Sequence, residues 1–121
     1  ADLRADIPEP VTLQPRESTF FNTGIEVAIP DGYFGALAIR SSLACKHGLM
    51  LANSLGIIDS CYRGPVKAKL VNIGRRPYTI NPGDRIAQLL IIPCVHATFV
   101  QVDELPESDR GTGGFGSTGA Q

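Results

Sequence analysis

Thirteen glycines and nine prolines cut this 121-residue chain into short apolar runs, and that spacing leaves little room for anything but a β fold. The runs Val11–Gln14, Ser18–Ile29, Tyr33–Ile39, Val66–Ile73, Tyr78–Ile80, Arg85–Ile92 and Ala97–Val102 are rich in Val, Ile, Leu and Thr and read as strands. Between them stand Pro30-Asp31-Gly32 and Pro82-Gly83-Asp84, where proline pre-sets a turn and glycine supplies positive φ. Only Ser41–His47 has helical character, a turn or two at most, with Ser41 or Ser42 placed to cap it. Many short strands joined by close turns predict an all-β barrel or sandwich of the jelly-roll kind.

A hydrophobic fraction of 43% suffices for one packed core, and the length suits a single domain. Composition shifts at Pro106: residues 1–105 read as the β domain, whereas 106–121 are polar and glycine-rich and form an expected flexible arm. Eleven Lys and Arg against twelve Asp and Glu give a net charge of -1, which supplies no basic field for wrapping nucleic acid. No apolar run approaches the roughly 20 residues that span a bilayer. The longest candidate, Leu89-Leu90-Ile91-Ile92, stops at Pro93, and no secretory leader is visible. Cys45, Cys61 and Cys94 are odd in number and widely spaced, without a CxxC pair, so a reducing, cytoplasmic setting is expected.

Four polar stretches interrupt the apolar pattern. In the arm, Arg110-Gly111-Thr112-Gly113-Gly114-Phe115-Gly116-Ser117-Thr118-Gly119 combines convergent amides, hydroxyls and a guanidinium that suit an anion, with one ring able to stack on a base. It is no Walker loop, for it lacks GK[ST] and any strand–helix frame; the alternative is a plain glycine-rich tail. Asn53 to Gly64 carries one carboxylate, Asp59, with Tyr62 and Arg63, and reads as a hairpin offering main-chain groups to a ligand edge; Asp59 is a water-activating base or a turn residue. Arg40-Ser41-Ser42 at a helix start suits an anion, or is an ordinary cap. Gln88, among aliphatics in Gly83–Leu89, either meets a ligand or satisfies backbone.

Together with Ala1-Asp2-Leu3-Arg4-Ala5, these stretches resemble, in order and spacing, the five motifs of the deoxyuridine triphosphatase (dUTPase) family. RSSLA, GIIDSxYRG, GDRIAQL and RGxGGFGSTG in series are highly specific, and the resemblance spans residues 1 to about 119. It implies a jelly-roll-like β fold assembled as a homotrimer whose active sites draw motifs from all three chains, with no nucleic-acid or membrane partner. It implies Mg²⁺-dependent hydrolysis of dUTP to dUMP and pyrophosphate, which keeps uracil out of DNA and supplies dUMP for dTMP synthesis.

Carried over by position, the resemblance makes Asp59 the base for the attacking water and Tyr62 the ring under the deoxyribose. Asn53 with Gly56, Ile57 and Ile58 reads the uracil edge. Ser41 and Gln88 contact the phosphate chain, Arg40 helps organise that site, Ser42 is a further substrate-binding residue, and Asp2 stands near the metal, bound through water. Arg110, Ser117 and Thr118 grip the terminal phosphate while Phe115 covers the uracil, and Gly114 and Gly116 are substrate-binding residues of the same arm.

Departures from the family pattern accompany the match. The sequence opens inside the first motif, ahead of which a strand is usual, and is expected to be cropped there. Cys61 stands where a second acid is common, and Ile39 where proline often precedes Arg-Ser. His47 and His96 match no catalytic role, and Arg75-Arg76 reads as a solvated turn. A dCTP deaminase-like relative is the second enzyme reading, but it requires a glutamate and Leu51–Gly64 contains none. A non-catalytic dUTP-sensing module is the third, and the retained Asp59 speaks against it.

Overall fold

A computed structural model describes residues 1–119. Nine strands and one short helix follow one another: β1 (Asp2–Arg4), β2 (Val11–Leu13), β3 (Ser18–Glu26), β4 (Tyr33–Ile39), α1 (Ser41–His47), β5 (Leu49–Leu51), β6 (Gly56–Ile58), β7 (Pro65–Asn72), β8 (Tyr78–Ile80) and β9 (Arg85–Pro93). They form three open antiparallel sheets, ordered β1-β9-β4-β6, β3-β7-β5 and β2-β8. The architecture is all-β and jelly-roll-like as expected, but the sheets do not close into a barrel.

Alternation drives the layering. Along β7, Val66, Ala68, Leu70 and Asn72 point inward while Pro65 and Lys67 face out, the period-two signature of a half-buried strand. Phe21, Leu49, Leu51, Leu70, Ile80 and Ile86 form the most deeply buried part of one core. Fully burying side chains of this size contributes about 1.5–3 kcal/mol each. Asn72, also fully buried, donates through Nδ2 to the carbonyls of Leu13 and Arg76 at 2.9 and 2.8 Å and accepts from the Gly74 amide at 2.9 Å. It thereby ties β7 to β2 and to the turn carrying Arg75 and Arg76, both exposed.

Several expectations are corrected. The helix begins at Arg40 as N-cap, in extended conformation, and no side chain caps it; neither Ser41 nor Ser42 takes that role. It ends at Gly48 in the left-handed region, whose amide reaches back to Ala44. The third strand stops at Glu26 rather than Ile29, and its register slips between Asn22 and Glu26. Ala97–Val102 forms no strand: Phe99 is 94% exposed, and β composition alone makes no strand where the chain offers no ladder partner. Strands β1 and β5, three residues each, are too short to show periodicity.

Candidate active site

The stretch from Asn53 to Gly64 was expected to be a hairpin, yet β5 and β6 do not pair with each other. Strand β5 is the edge of the β3-β7-β5 sheet, and β6, paired with β4, is the edge of the β1-β9-β4-β6 sheet. The turn over residues 52–55 therefore links the edges of two sheets, held by the Ser54 amide on Leu51 and the Leu55 amide on Asn53. Gly56 is opposite Leu37, and a Cβ there would meet the Leu37 Cβ at 2.9 Å, so glycine is what lets β6 close on β4.

Between β6 and the face of β3 and β7 lies a cleft of about 330 Å³. Asn53, Gly56, Ile57, Ile58, Asp59 and Tyr62 all line it, bringing together one group of residues anticipated from sequence. Asp59 is exposed and opens a turn in which the Tyr62 amide donates to the Asp59 carbonyl at 3.1 Å. The Tyr62 hydroxyl donates to the Pro65 carbonyl at 3.1 Å. Phe20, Lys67 and Lys69, which the sequence reading did not single out, complete the outer wall, with the Lys69 ammonium 5.2 Å from the Phe20 ring centroid. Their signal was the alternation of lysines with Val66, Ala68 and Leu70 along β7.

A second cluster sits where β1, β9 and the end of β4 meet. Gln88 of β9 is opposite Asp2 on one side and Ala38 on the other. The Asp2 carboxylate lies 3.4 Å from Arg40 Nε and 3.1 Å from Arg85 Nη1, one oxygen to each guanidinium. Arg40 Nε is shut off from solvent and has no hydrogen-bond partner, so it meets Asp2 through charge alone. Arg40, Ser42 and Arg85 line a second cleft of about 260 Å³ with Arg4, and Ser41 is exposed beside it at the first helical position. Exposed His47 packs against Tyr78 in its wall, ring centroids 4.5 Å apart and planes tilted by 44°. Burial first, and the Asp84 carboxylate second, raise the Tyr78 phenol above its ordinary pKa.

The two clefts share no lining residue, and the arm stands apart from both. Arg110 Nε donates to its own Gly113 carbonyl at 2.6 Å, the Ser117 amide donates to Gly114, and Gly119 to Gly116. Phe115 is fully exposed with φ +49° between half-buried Gly114 and Gly116 at φ +91°; Ser117 and Thr118 are exposed. Among the described residues no hydrogen bond joins 95–119 to the β body. Ala120 and Gln121, the end of the expected arm, lie outside the described residues. One chain thus assembles the anticipated residues in three separate places.

No three His, Cys, Asp or Glu side chains gather among the described residues. The carboxylate of Asp2 already balances two guanidiniums. Such a set fits a cation held mainly by substrate phosphates and water, not one caged by protein.

A family model described as dUTPase matches residues 2–119. The deoxyuridine 5'-triphosphate nucleotidohydrolase of Burkholderia cenocepacia strain HI2424 is 50% identical over 119 residues, covering 98% of this chain and 80% of that one. The protein of the same name from Coxiella burnetii strain Dugway 5J108-111 is 45% identical, at 98% and 78% coverage. A solved mutant dUTPase of Staphylococcus bacteriophage 80alpha, bound to dUpNHpp, superposes with TM-score 0.89 at 30% identity, covering 98% of this chain and 85% of that one. A mutant dUTPase of phage phi11, solved to describe coordination of a structural Mg(II) ion, gives 0.77 at 29% identity, with 88% and 84% covered. The matches define a nucleotide-hydrolysing β enzyme. This chain belongs to the dUTPase family. No helix among the described residues is long and apolar enough to cross a membrane.

Proposed function

We infer that this protein hydrolyses dUTP to dUMP and pyrophosphate, and the observation that carries the reading is the cleft uniting Asp59 and Tyr62 with the Asn53–Ile58 wall in a member of the dUTPase family. The uracil edge meets Asn53 and the main chain of Gly56, Ile57 and Ile58. A closely fitted wall rejects thymine by its methyl and cytosine by its reversed donor–acceptor pattern. The Tyr62 ring packs under the deoxyribose and leaves no space for a 2′-hydroxyl. Asp59 takes a proton from water as the water oxygen bonds to the α-phosphorus; the bond from that phosphorus to the bridging oxygen breaks, and pyrophosphate departs with the electron pair. General-base catalysis of this kind supplies roughly 10²–10⁴ of the rate.

Arg40, Ser41, Ser42 and Gln88 hold the phosphate chain. Asp2, paired with both guanidiniums, would stand near Mg²⁺ and hold it through water. When bound, Mg²⁺ neutralises phosphate charge and favours departure of pyrophosphate. The arm, residues 106–121, closes with Phe115 over the uracil and with Arg110, Ser117 and Thr118 on the terminal phosphate, excluding water.

These parts meet in a homotrimer. The separation of the two clefts and the arm within one chain supports sites completed by neighbours, as does the exposure of Val95, Phe99, Val100 and Leu105. Three exposed free thiols suit a cytoplasmic setting. The test is substrate-resolved pyrophosphate release by the full chain with Mg²⁺. Release from dUTP, with far less from dTTP, dCTP and UTP, is expected; equal turnover of UTP contradicts the role given to Tyr62, and release of ammonia from dCTP instead would favour a deaminase.

A further inference from the structure

Tyr62 is 44% exposed, so the core does not fix its ring. An aromatic wall that must discriminate one hydroxyl needs another anchor, and the three residues after it supply one. At Gly64 an added Cβ would lie 2.5 Å from the Tyr62 hydroxyl oxygen, 2.7 Å from Cζ and 3.2 Å from Cε2. The phenol rests in the space that a side chain at 64 would fill. Gly64 is not among the glycines with positive φ, so its backbone accepts any residue; glycine is there for room, not for conformation. The Tyr62 hydroxyl, laid across this gap, donates to the Pro65 carbonyl at 3.1 Å. Arg63 Nη1 donates to the Ser60 and Tyr62 carbonyls at 2.6 and 3.0 Å, which fixes the main chain on which the ring is hung. Ser60 Oγ in turn donates to Asp31 Oδ1 at 3.3 Å, linking this turn to the one before β4.

We propose that Gly64 is a specificity-determining positioning residue: its bare backbone seats the Tyr62 ring, and the seat sets how strongly the protein prefers deoxyribose over ribose. The proposal rests on the reading of Tyr62 as the wall beneath the sugar. A larger residue at 64 pushes the phenol out of its seat, breaks its bond to Pro65 and opens room beside the 2′ carbon. Since nothing in the backbone resists alanine, the fold survives and only the ring moves.

The experiment is a double-mutant cycle on the full-length protein with Mg²⁺, measuring kcat/KM for dUTP and for UTP. Gly64→Ala is expected to lower the dUTP-to-UTP ratio by roughly tenfold or more, the scale on which a pocket discriminates by shape. In a Tyr62→Ala background the same change should leave the ratio where it was, because no ring remains to displace. An unchanged ratio for Gly64→Ala alone, or the same loss in both backgrounds, overturns the proposal. If Gly64→Ala does not fold, Tyr62→Phe keeps the ring and removes the Pro65 bond; a severalfold fall in the ratio is expected, and an unaltered ratio is equally fatal. Should the unaltered protein accept UTP as readily as dUTP, the reading of Tyr62 fails first, and the two failures are told apart.

Discussion

The cleft between β6 and the β3-β7 face and the glycine-rich arm belong to one proposed site and are built on opposite principles. In the cleft, the strands behind the walls are fixed by partners distant in sequence: Gly56 by Leu37 and Phe20 by Lys69 across ladders, with Ser60 tied to Asp31. In the arm, every described hydrogen bond is local: Arg110 to Gly113, Gly111 to Ser108 and Ser117 to Gly114. Long-range register makes a surface that is present before any ligand arrives. Local turns make one whose placement must come from elsewhere, and glycines at positive φ let it be shaped there. Under the proposed function, that difference suits the first region to recognition and the second to closure.

Two alterations break that division at its ends. Asp59→Asn leaves the cleft's shape and removes its base, so turnover should fall by roughly 10²–10⁴ while binding of a non-hydrolysable dUTP analogue persists. Calorimetric titration beside pyrophosphate release checks both halves, and an active variant would remove Asp59 from the mechanism. Deleting Gly111–Gln121 should cost about 10²-fold in activity, the scale of a misplaced reacting group. Sedimentation should still find an intact assembly with the body's melting temperature unchanged. A truncated protein of normal activity would make the arm mere tail.

The smallest expected effect sharpens the contrast from the side of the body. Burial and Asp84 hold the Tyr78 proton beyond the ordinary phenol value of 10.0. As pH rises past that point the unfolded phenol ionises first, so the unfolded state binds fewer protons than the folded one and stability declines. The contribution is intact below about pH 10 and is lost as pH climbs from there through the folded value. Denaturant midpoints between pH 9 and 11 should fall less steeply for Tyr78→Phe. Identical slopes would remove Tyr78 from the account.

What could be read from the sequence divides along the same line. Helix Ser41–His47 and strands β4 and β8 have the bounds that their apolar runs and turns suggest, because local chemistry alone sets them. The pairing of Asp2 with Arg40 and Arg85 could not be read, since it depends on two ladders bringing residues 38 and 83 positions apart onto one spot. Nor could the parting of β5 from β6, whose spacing suits a hairpin and whose partners lie on other strands. Ala97–Val102 misled in the other direction, having strand composition and no partner in its own chain. The family motifs made the site residues nameable, but only the fold divides them into separate groups.

Because β6 and the β3-β7 face across from it belong to different sheets, the width of the mouth between them is a gauge of sheet spacing. Buried Phe21 and Leu70 stand behind one lip and Leu37 behind the other. A substitution deep in that layer that alters its thickness by a methylene would therefore show itself first as altered choice among nucleobases, before any loss of foldedness was detectable.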